Sequence, residues 1–425
     1  LADLFLYMAL FLIWFMLFYH MFLMQGGYLH AMRYEKVADF WKQKPGDLPT
    51  LSVLIPAHNE EMVIAETLEA LINQNYPKHL LEVIVVNDNS SDQTAEIVEA
   101  YANFYPFIKV VHTRPPNAGK GKSGALNRGL KEATGEIVAV YDADNTPEPE
   151  ALQYLAIGLL NDPKAGAVVG RFRVMNASKN LLTQLINIET ITFQWLAQAG
   201  RWFWFRMTTI PGTNFAIRRS ILGRLGGWDE KALSEDTELS FRVYNLGYHI
   251  RFFPSAVTWE QEPETWKVWW RQRTRWARGN EYVIFKYVFG FFKLKNKKVA
   301  LDLFYFLFTY VLFFGGVLVS HLIFGLNLFY DLNLSIGMVS YILLVVGFLL
   351  FVTEITLALS LEYGQLTLKN VLVVLLMYFT YSQLWLVLVV YASFLEIKRL
   401  MFKQEVTWYK TQRFKQETAK EDRSA

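Results

Sequence analysis

Asp142 and Asp144, in the stretch AVYDADNTPE, place two carboxylates one residue apart at the mouth of a strand-like run, Ile137 to Tyr141. Like charges so close repel unless a cation or a proton lies between them. Carboxylate oxygens suit Mg2+ or Mn2+, which bind through one or two such side chains and complete their shell with phosphate and water. A cation held there cancels the repulsion and stabilises charge developing on a leaving diphosphate. The nearby NAGKGKSGALN adds glycines and two lysines, Lys120 and Lys122, whose natural counterpart is phosphate. Its spacing is not that of a Walker motif.

Positioning these groups requires a strand with open space at its carboxyl end. LSVLIPAHNE reads as a buried strand from Leu51 to Ile55, followed by a helical pattern from Glu61 to Asn73. LEVIVVNDNSSDQT gives a second strand, Val83 to Val86, and then a helix from Asp92 to Phe104. FIKVVHT and EIVAVYDAD supply two more strands, with helical SGALNRGLKEA between them. This alternation predicts a doubly wound, mostly parallel sheet, which binds ligands outside the carboxyl ends of its strands. Three polar clusters, Pro56–Glu60, Asn87–Ser90 and Asp142–Asp144, then share one cleft. Turn chemistry and helix capping explain each cluster alone equally well; their convergence on one edge is what favours a site.

The remaining sequence limits the class. The net charge of +3 gives no case for a nucleic-acid partner, and the absence of cysteine excludes disulfides and thiolate metal sites. Residues 4–24 carry no charge and are long enough to cross a bilayer; the block exceeds the apolar region of a signal peptide. Further apolar blocks lie at 302–328, 336–361 and 370–397, the last interrupted by the polar TYSQ at 380–383. Arg33, Lys36, Lys42 and Lys44 after the first block, and Lys293, Lys295, Lys297 and Lys298 before the second, predict a cytoplasmic middle domain. The basic tail after Lys398 also belongs inside. Three crossings after that domain would leave the tail outside, so one block is expected to be a hairpin, a re-entrant segment or an in-plane helix.

Together these residues resemble glycosyltransferase family 2, inverting enzymes of GT-A fold that use nucleotide sugars. SEDTELSFRVYNLGY is similar to the family's Thr/Ser-Glu-Asp segment, and Gln272-Arg273-Thr274-Arg275-Trp276 matches the Gln-x-x-Arg-Trp signature of processive polysaccharide synthases. The resemblance covers about residues 50 to 280 and implies cellulose, hyaluronan or poly-N-acetylglucosamine synthase-like chemistry. It implies Asp236 as general base and Glu235 as its neighbour in catalysis. For the nucleotide sugar it implies Ala57, Glu60, Asp88, Lys122, Asp142 and Arg275, and for the metal, Mg2+ or Mn2+, it implies Asp144 with Asp142. Gly212, Gln272 and Trp276 would meet the acceptor. His58 and Asn87 depart from residues common at those positions and bear on base recognition. In EVTWYKTQR the residues Trp408, Thr411 and Arg413 resemble a gating segment, and a basic segment lying on anionic lipid is an equal reading.

Taken together, the expected organisation is an N-terminal transmembrane helix (1–28), a GT-A domain (29–262), interface helices with Gln-x-x-Arg-Trp (263–298), a C-terminal transmembrane region (299–397) and a basic cytoplasmic tail (398–425). WKVWWRQRTRWARG also reads as an amphipathic helix at a membrane interface, and residues 180–206 as a second. The implied activity is processive, inverting transfer from a UDP-sugar, UDP-GlcNAc or UDP-glucose, to a β-linked polysaccharide, coupled to its passage through the plasma membrane. The alternative is transfer of one or a few sugars to a lipid acceptor. Expected partners are the UDP-sugar donor, the polysaccharide, the lipid bilayer and a small membrane or export subunit.

Overall fold

The computed structural model describes residues 2–42, 47–115, 118–288, 296–330, 332, 334 and 337–402. A helix, α1 (Ala2–Lys42), leads into the first half of an α/β domain: β1 (Leu51–Ala57), α2 (Ile64–Ile72), β2 (Leu81–Asp88), α3 (Thr94–Phe104), β3 (Ile108–Thr113), α4 (Gly121–Glu132) and β4 (Ile137–Val140). β3, β2, β1 and β4 are neighbours in that order, all parallel. Helical crossovers cover both faces of such strands, which is why β1 and β2 read as continuous apolar runs. Alternate side chains feed two cores. Val53, Ile55, Val83 and Val85 face α2, α3 and the later α5, whereas Leu54, Ile84, Val138 and Val140 face a second core.

The second half is mixed. It comprises β5 (Thr146–Pro147), α5 (Ala151–Leu160), β6 (Ala165–Val174), α6 (Leu181–Thr192), a π-helical stretch (Phe193–Gly200), α7 (Arg201–Phe205), β7 (Phe215–Arg218), α8 (Arg219–Leu225), α9 (Glu235–Asn245) and β8 (His249–Glu260). β7 runs antiparallel between β4 and β6, giving the eight-stranded order β3-β2-β1-β4-β7-β6-β8-β5. β6 and β8 pair parallel, and β5 closes the edge antiparallel to β8. The parallel expectation thus holds for the first half, while β7 reverses because it is reached from the helical excursion of residues 181–205.

α10 (Trp266–Val288), rich in charged residues, is followed by the apolar helices α11 (Lys297–Leu307), a second π-helical stretch (Phe308–Phe313), α12 (Phe314–Phe329), α13 (Gly337–Ser360), α14 (Leu368–Phe379) and α15 (Tyr381–Phe402). Among the described residues, the segments Ala2–Tyr34, Lys297–Phe329 and Ile342–Ser360 are long and apolar enough to cross a membrane. α14 and α15 form a bent pair, turning by 41° at Thr380, inside the TYSQ break. The second core of the sheet runs on without interruption into these helices through Trp269, Val283, Leu303, Ile355, Val374 and Leu388.

Two close contacts fix the α/β domain to the apolar helices. α1 crosses the residue 193–200 stretch through Gly27 and Gly200, where an added Cβ would lie 2.0 Å from the Trp195 carbonyl oxygen and 2.1 Å from that of Leu23. Residues 180–206, expected as a second helix at a membrane interface, include the stretch 193–200, which packs between α1 and the sheet. Glu362, buried in the connection between α13 and α14, accepts hydrogen bonds from Arg171 and Arg173 on β6 and from Trp195. That connection therefore lies against the sheet, and α13 returns to the side of the α/β domain. Trp408, Thr411 and Arg413, with Lys44, Lys293 and Lys295, lie outside the described residues.

Candidate active site

At the open edge of the sheet three asparagines hold a backbone position that few residues tolerate. Asn59 and Asn89, just past β1 and β2, have φ of 55° and 54°, and Asn214, preceding β7, has φ of 47°. Asparagine adopts this left-handed region more readily than most side chains. The chain thus turns sharply at the carboxyl edge. The Asn59 side chain accepts from the Ser91 amide, and its own amide donates to Ser90. His58 Nδ1 lies 2.7 Å from the Asp88 carbonyl oxygen, joining the first two clusters.

Asp88 is buried; its carboxylate accepts from the Thr113 hydroxyl and, at 3.3 Å, from the Gly119 amide, so it orders the segment leading to Lys120 and Lys122. Ala57 and Glu60 are buried at the end of β1, where the Glu60 amide donates to Thr94 Oγ1 at the start of α3. Ala57 is in register with Asn87 on β2. These three residues share the edge that carries the Asp-x-Asp pair.

The Asp142–Asp144 turn is held from three sides. The Asp142 amide donates to Asn145 Oδ1 and to Thr213 Oγ1, each at 3.1 Å. Thr67 of α2 donates to the Ala143 carbonyl at 2.7 Å. Lys122 Nζ sits 2.5 Å from Asp142 Oδ1, 2.9 Å from the Gly212 carbonyl oxygen and 3.9 Å from Glu235 Oε1. Gly212 has φ of 89°, and an added Cβ would lie 2.9 Å from Asp236 Oδ2 and 3.4 Å from Lys122 Nζ. Lys122, Asp142, Gly212, Glu235 and Asp236, separate in sequence, therefore meet in one place.

Electrostatics follow from burial. Burial raises the Glu235 carboxyl to about 7, with the Asp236 charge adding to it and Lys122 opposing. Burial also raises Asp236, against Lys122, the Thr237 amide and Arg275. For Lys122 burial acts downward, and Asp142, Glu235 and Asp236 together outweigh it, keeping the ammonium charged. On the far side of the Asp-x-Asp turn, Glu260 is raised well above the usual carboxylate range by burial and by Glu262, Asp144 and Asp142.

A divalent cation fits this surplus of negative charge. Among the described residues no three His, Asp or Glu side chains are placed to hold a metal alone.

Arg275 and Trp276 come from α10, which is clamped to the start of α9. Gly279 allows the approach, and Thr237 Oγ1 donates to Asn280 Oδ1 at 3.1 Å while Asn280 Nδ2 donates to Tyr310 at 2.7 Å. The clamp carries Arg275 into the field of Glu235 and Asp236. Its Nε is buried without a hydrogen-bond partner among the described residues, a donor suited to an anion. Gln272 Oε1 accepts from Arg273 at 2.5 Å rather than meeting the carboxylates, and Trp276 is half-exposed.

Residues 49–279 match the family model described as "Glycosyltransferase like family 2". The chain belongs to glycosyltransferase family 2. It is 63% identical over 410 residues to the probable glycosyltransferase YdaM of Bacillus subtilis (strain 168), covering 96% of this chain and 98% of that one. It is also similar to the poly-beta-1,6-N-acetyl-D-glucosamine synthase of Staphylococcus epidermidis, at 32% identity over 251 residues, 59% of each chain. The solved mannosyltransferase PcManGT of Pyrobaculum calidifontis, in complex with GDP-Man and Mn2+, superposes with a TM-score of 0.57 at 22% identity, over 86% of this chain and 99% of that chain. That likeness concerns the fold, which is the GT-A type expected from the sequence. This glycosyltransferase thus joins a GT-A domain to flanking apolar helices.

Thr213, Asn145 and Asn280 were not singled out from the sequence. Thr213 directly follows Gly212, and Asn145 directly follows the Asp-x-Asp pair, so both border residues that carry a signal in the sequence. Asn280 had no such signal.

Proposed function

We propose that this glycosyltransferase carries out processive, inverting transfer of a sugar from a UDP-sugar, UDP-GlcNAc or UDP-glucose, to a growing β-linked polysaccharide, and passes the product across the membrane. The observation that carries this reading is the clamp of the Gln-x-x-Arg-Trp helix onto the helix bearing Glu235 and Asp236, beside the apolar helices. Arg275 is thereby committed to the same cleft as the carboxylates, and Trp276 to its half-open rim.

Ala57, Glu60 and Asp88 line the nucleotide end. Lys122, Arg275 and Asp142 face the diphosphate, and Asp142 with Asp144 would hold the Mg2+ or Mn2+, which would supply charge stabilisation to the leaving diphosphate. Asp236 accepts the proton of the acceptor hydroxyl as it attacks the anomeric carbon from the opposite face. Glu235 keeps Lys122 in place. Gly212 lets the acceptor sugar approach Asp236 with no side chain between them, and Trp276 offers its ring face to that sugar. The cytoplasmic placement of this cleft belongs to the same proposal, as does the division of the chain into the five segments expected from sequence.

The experiment is incubation of the detergent-purified chain with Mn2+ and radiolabelled UDP-GlcNAc, UDP-glucose or GDP-mannose. Label is expected in high-molecular-mass material from one UDP-sugar. Label confined to an organic-extractable lipid would replace this reading with the lipid-acceptor one. Stripping the metal with EDTA is expected to reduce turnover at least about 10²-fold, restored by Mn2+ or Mg2+. Full activity in EDTA would remove the metal from the proposal.

The pH profile tests the base. Asp236 works as a base only when ionised, and its pKa is raised, so kcat/KM is expected to fall about tenfold per pH unit below an inflection above the ordinary carboxylate range. The neighbouring Glu235 carboxyl is itself raised to about 7. Their repulsion is reciprocal, so Glu235→Gln is expected to move the acid limb to lower pH. A profile flat between about pH 5 and about pH 8 would contradict the assignment.

A further inference from the structure

Arg273, between the signature residues of the Gln-x-x-Arg-Trp motif, is almost fully buried, at 1% exposure. Its guanidinium lies 4.0 Å from the centre of the Trp276 ring, and its Nη1 donates to Gln272 Oε1. Its Nη2 is 3.1 Å from Glu189 Oε2 and 3.7 Å from Glu262 Oε2. The first and last signature side chains, Gln272 and Trp276, are therefore set by where Arg273 is held.

Besides Glu262, just past β8, two distant elements hold Arg273. Glu189 is the single charged side chain in the run Leu181–Gly200, and the same Oε2 accepts the Tyr381 hydroxyl at 2.6 Å. Tyr381 in turn accepts from Trp269 Nε1 at 2.8 Å, one turn before Arg273 on α10. Tyr381 is the first residue after the break between α14 and α15. α15 continues along α10, with Ser393 donating to Glu281 and Arg278 pairing with Glu396.

A buried ion pair contributes little net stability, since desolvation offsets most of its attraction; its value lies in fixing one arrangement. The carboxylate of Glu189 makes no contact of its own with the Lys122, Asp142, Glu235 and Asp236 group. We propose that Glu189 and Tyr381 are positioning residues of the acceptor subsite, holding Arg273 and through it Gln272 and the Trp276 ring. This deepens the proposed function and rests on Trp276 receiving the acceptor. It also ties the acceptor floor to the break in the last helical pair.

The test uses the full chain in detergent with the active UDP-sugar and Mn2+, comparing Glu189→Gln, Glu189→Asp, Tyr381→Phe and Trp276→Ala. Three quantities are read: UDP affinity, sugar released to water, and sugar built into high-mass product. Glu189→Gln is expected to keep UDP affinity while the ratio of incorporated to hydrolysed sugar falls about tenfold or more. Glu189→Asp recovers part of that ratio. Tyr381→Phe, which keeps its ring and loses one hydroxyl, shows a smaller fall and covers the case in which Glu189→Gln does not fold. A structural role alone would lower UDP affinity and both rates together, and that result overturns the proposal. An unchanged ratio in the Glu189 and Tyr381 variants, with collapse in Trp276→Ala, overturns it and leaves the acceptor reading standing. An unchanged ratio in Trp276→Ala removes the acceptor reading and the positioning proposal together.

Discussion

Asp236→Asn is expected to lower kcat by about 10³-fold while leaving the affinity for UDP and Mn2+ close to that of the parent chain. The geometry makes the substitution a clean one. Asp236 Oδ1 accepts from the Thr237 amide at 2.7 Å, which holds the carboxylate plane with Oδ2 towards Gly212. Asparagine keeps the first bond and the shape but presents a group that cannot take a proton. Neither carboxylate oxygen is proposed to touch nucleotide or metal, so binding survives. Lys122 loses part of the negative charge that surrounds it, and three partners remain in Asp142, Glu235 and the Gly212 carbonyl. Turnover at the parent rate in Asp236→Asn would mean that the domain binds a nucleotide sugar without this residue acting as base. Loss of both turnover and UDP affinity would instead mark Asp236 as part of the binding surface.

The parallel half of the sheet was legible because its strands are buried on both faces and each is followed by a helix with its own period. Leu51–Ala57 and Leu81–Asp88 announce themselves as apolar runs, and the polar residues after them mark the open edge. Asp142 and Asp144 were legible for the same reason. β7 was not, because four residues, Phe215–Arg218, carry no periodic signal. Their direction is decided by the helical excursion before them.

The π-helical stretches likewise leave no local pattern. Glu189 carries a signal of its own, since a lone carboxylate in an otherwise uncharged run needs a partner. The partner, Arg273, lies 84 residues away, and no spacing rule links them. Asn280 and Tyr310 are joined in the same way, by the packing of one helix on another. Sequence periodicity places side chains on faces; which faces meet is decided only when the helices pack.

That packing sets the second large effect. Gly279→Ala is expected to lower sugar transfer by about 10²-fold, since misplacing reacting groups by an ångström costs about that much. A Cβ at position 279 would lie 1.9 Å from Ser234 Oγ, 2.8 Å from Ser234 Cβ and 2.9 Å from the Ser234 amide nitrogen. The hydroxyl can rotate away, but the Cβ and the amide cannot, so α10 must move off the start of α9. Glu235 and Asp236 follow Ser234 directly, and Arg275 and Trp276 lie within a turn of Gly279. The motion therefore separates the proposed base from the groups proposed to hold diphosphate and acceptor. It also stretches the bond from Thr237 to Asn280.

The loss should be geometric rather than global, because overpacking at one helix crossing typically costs about 1–3 kcal/mol. Ser234 makes no side-chain cap to α9, so Ser234→Gly can be combined with Gly279→Ala without unmaking one. The double variant removes the two closest side-chain contacts and is expected to regain part of the lost transfer, leaving only the approach to the amide. Wild-type transfer in Gly279→Ala alone would show that the spacing of α9 and α10 is not what aligns the cleft.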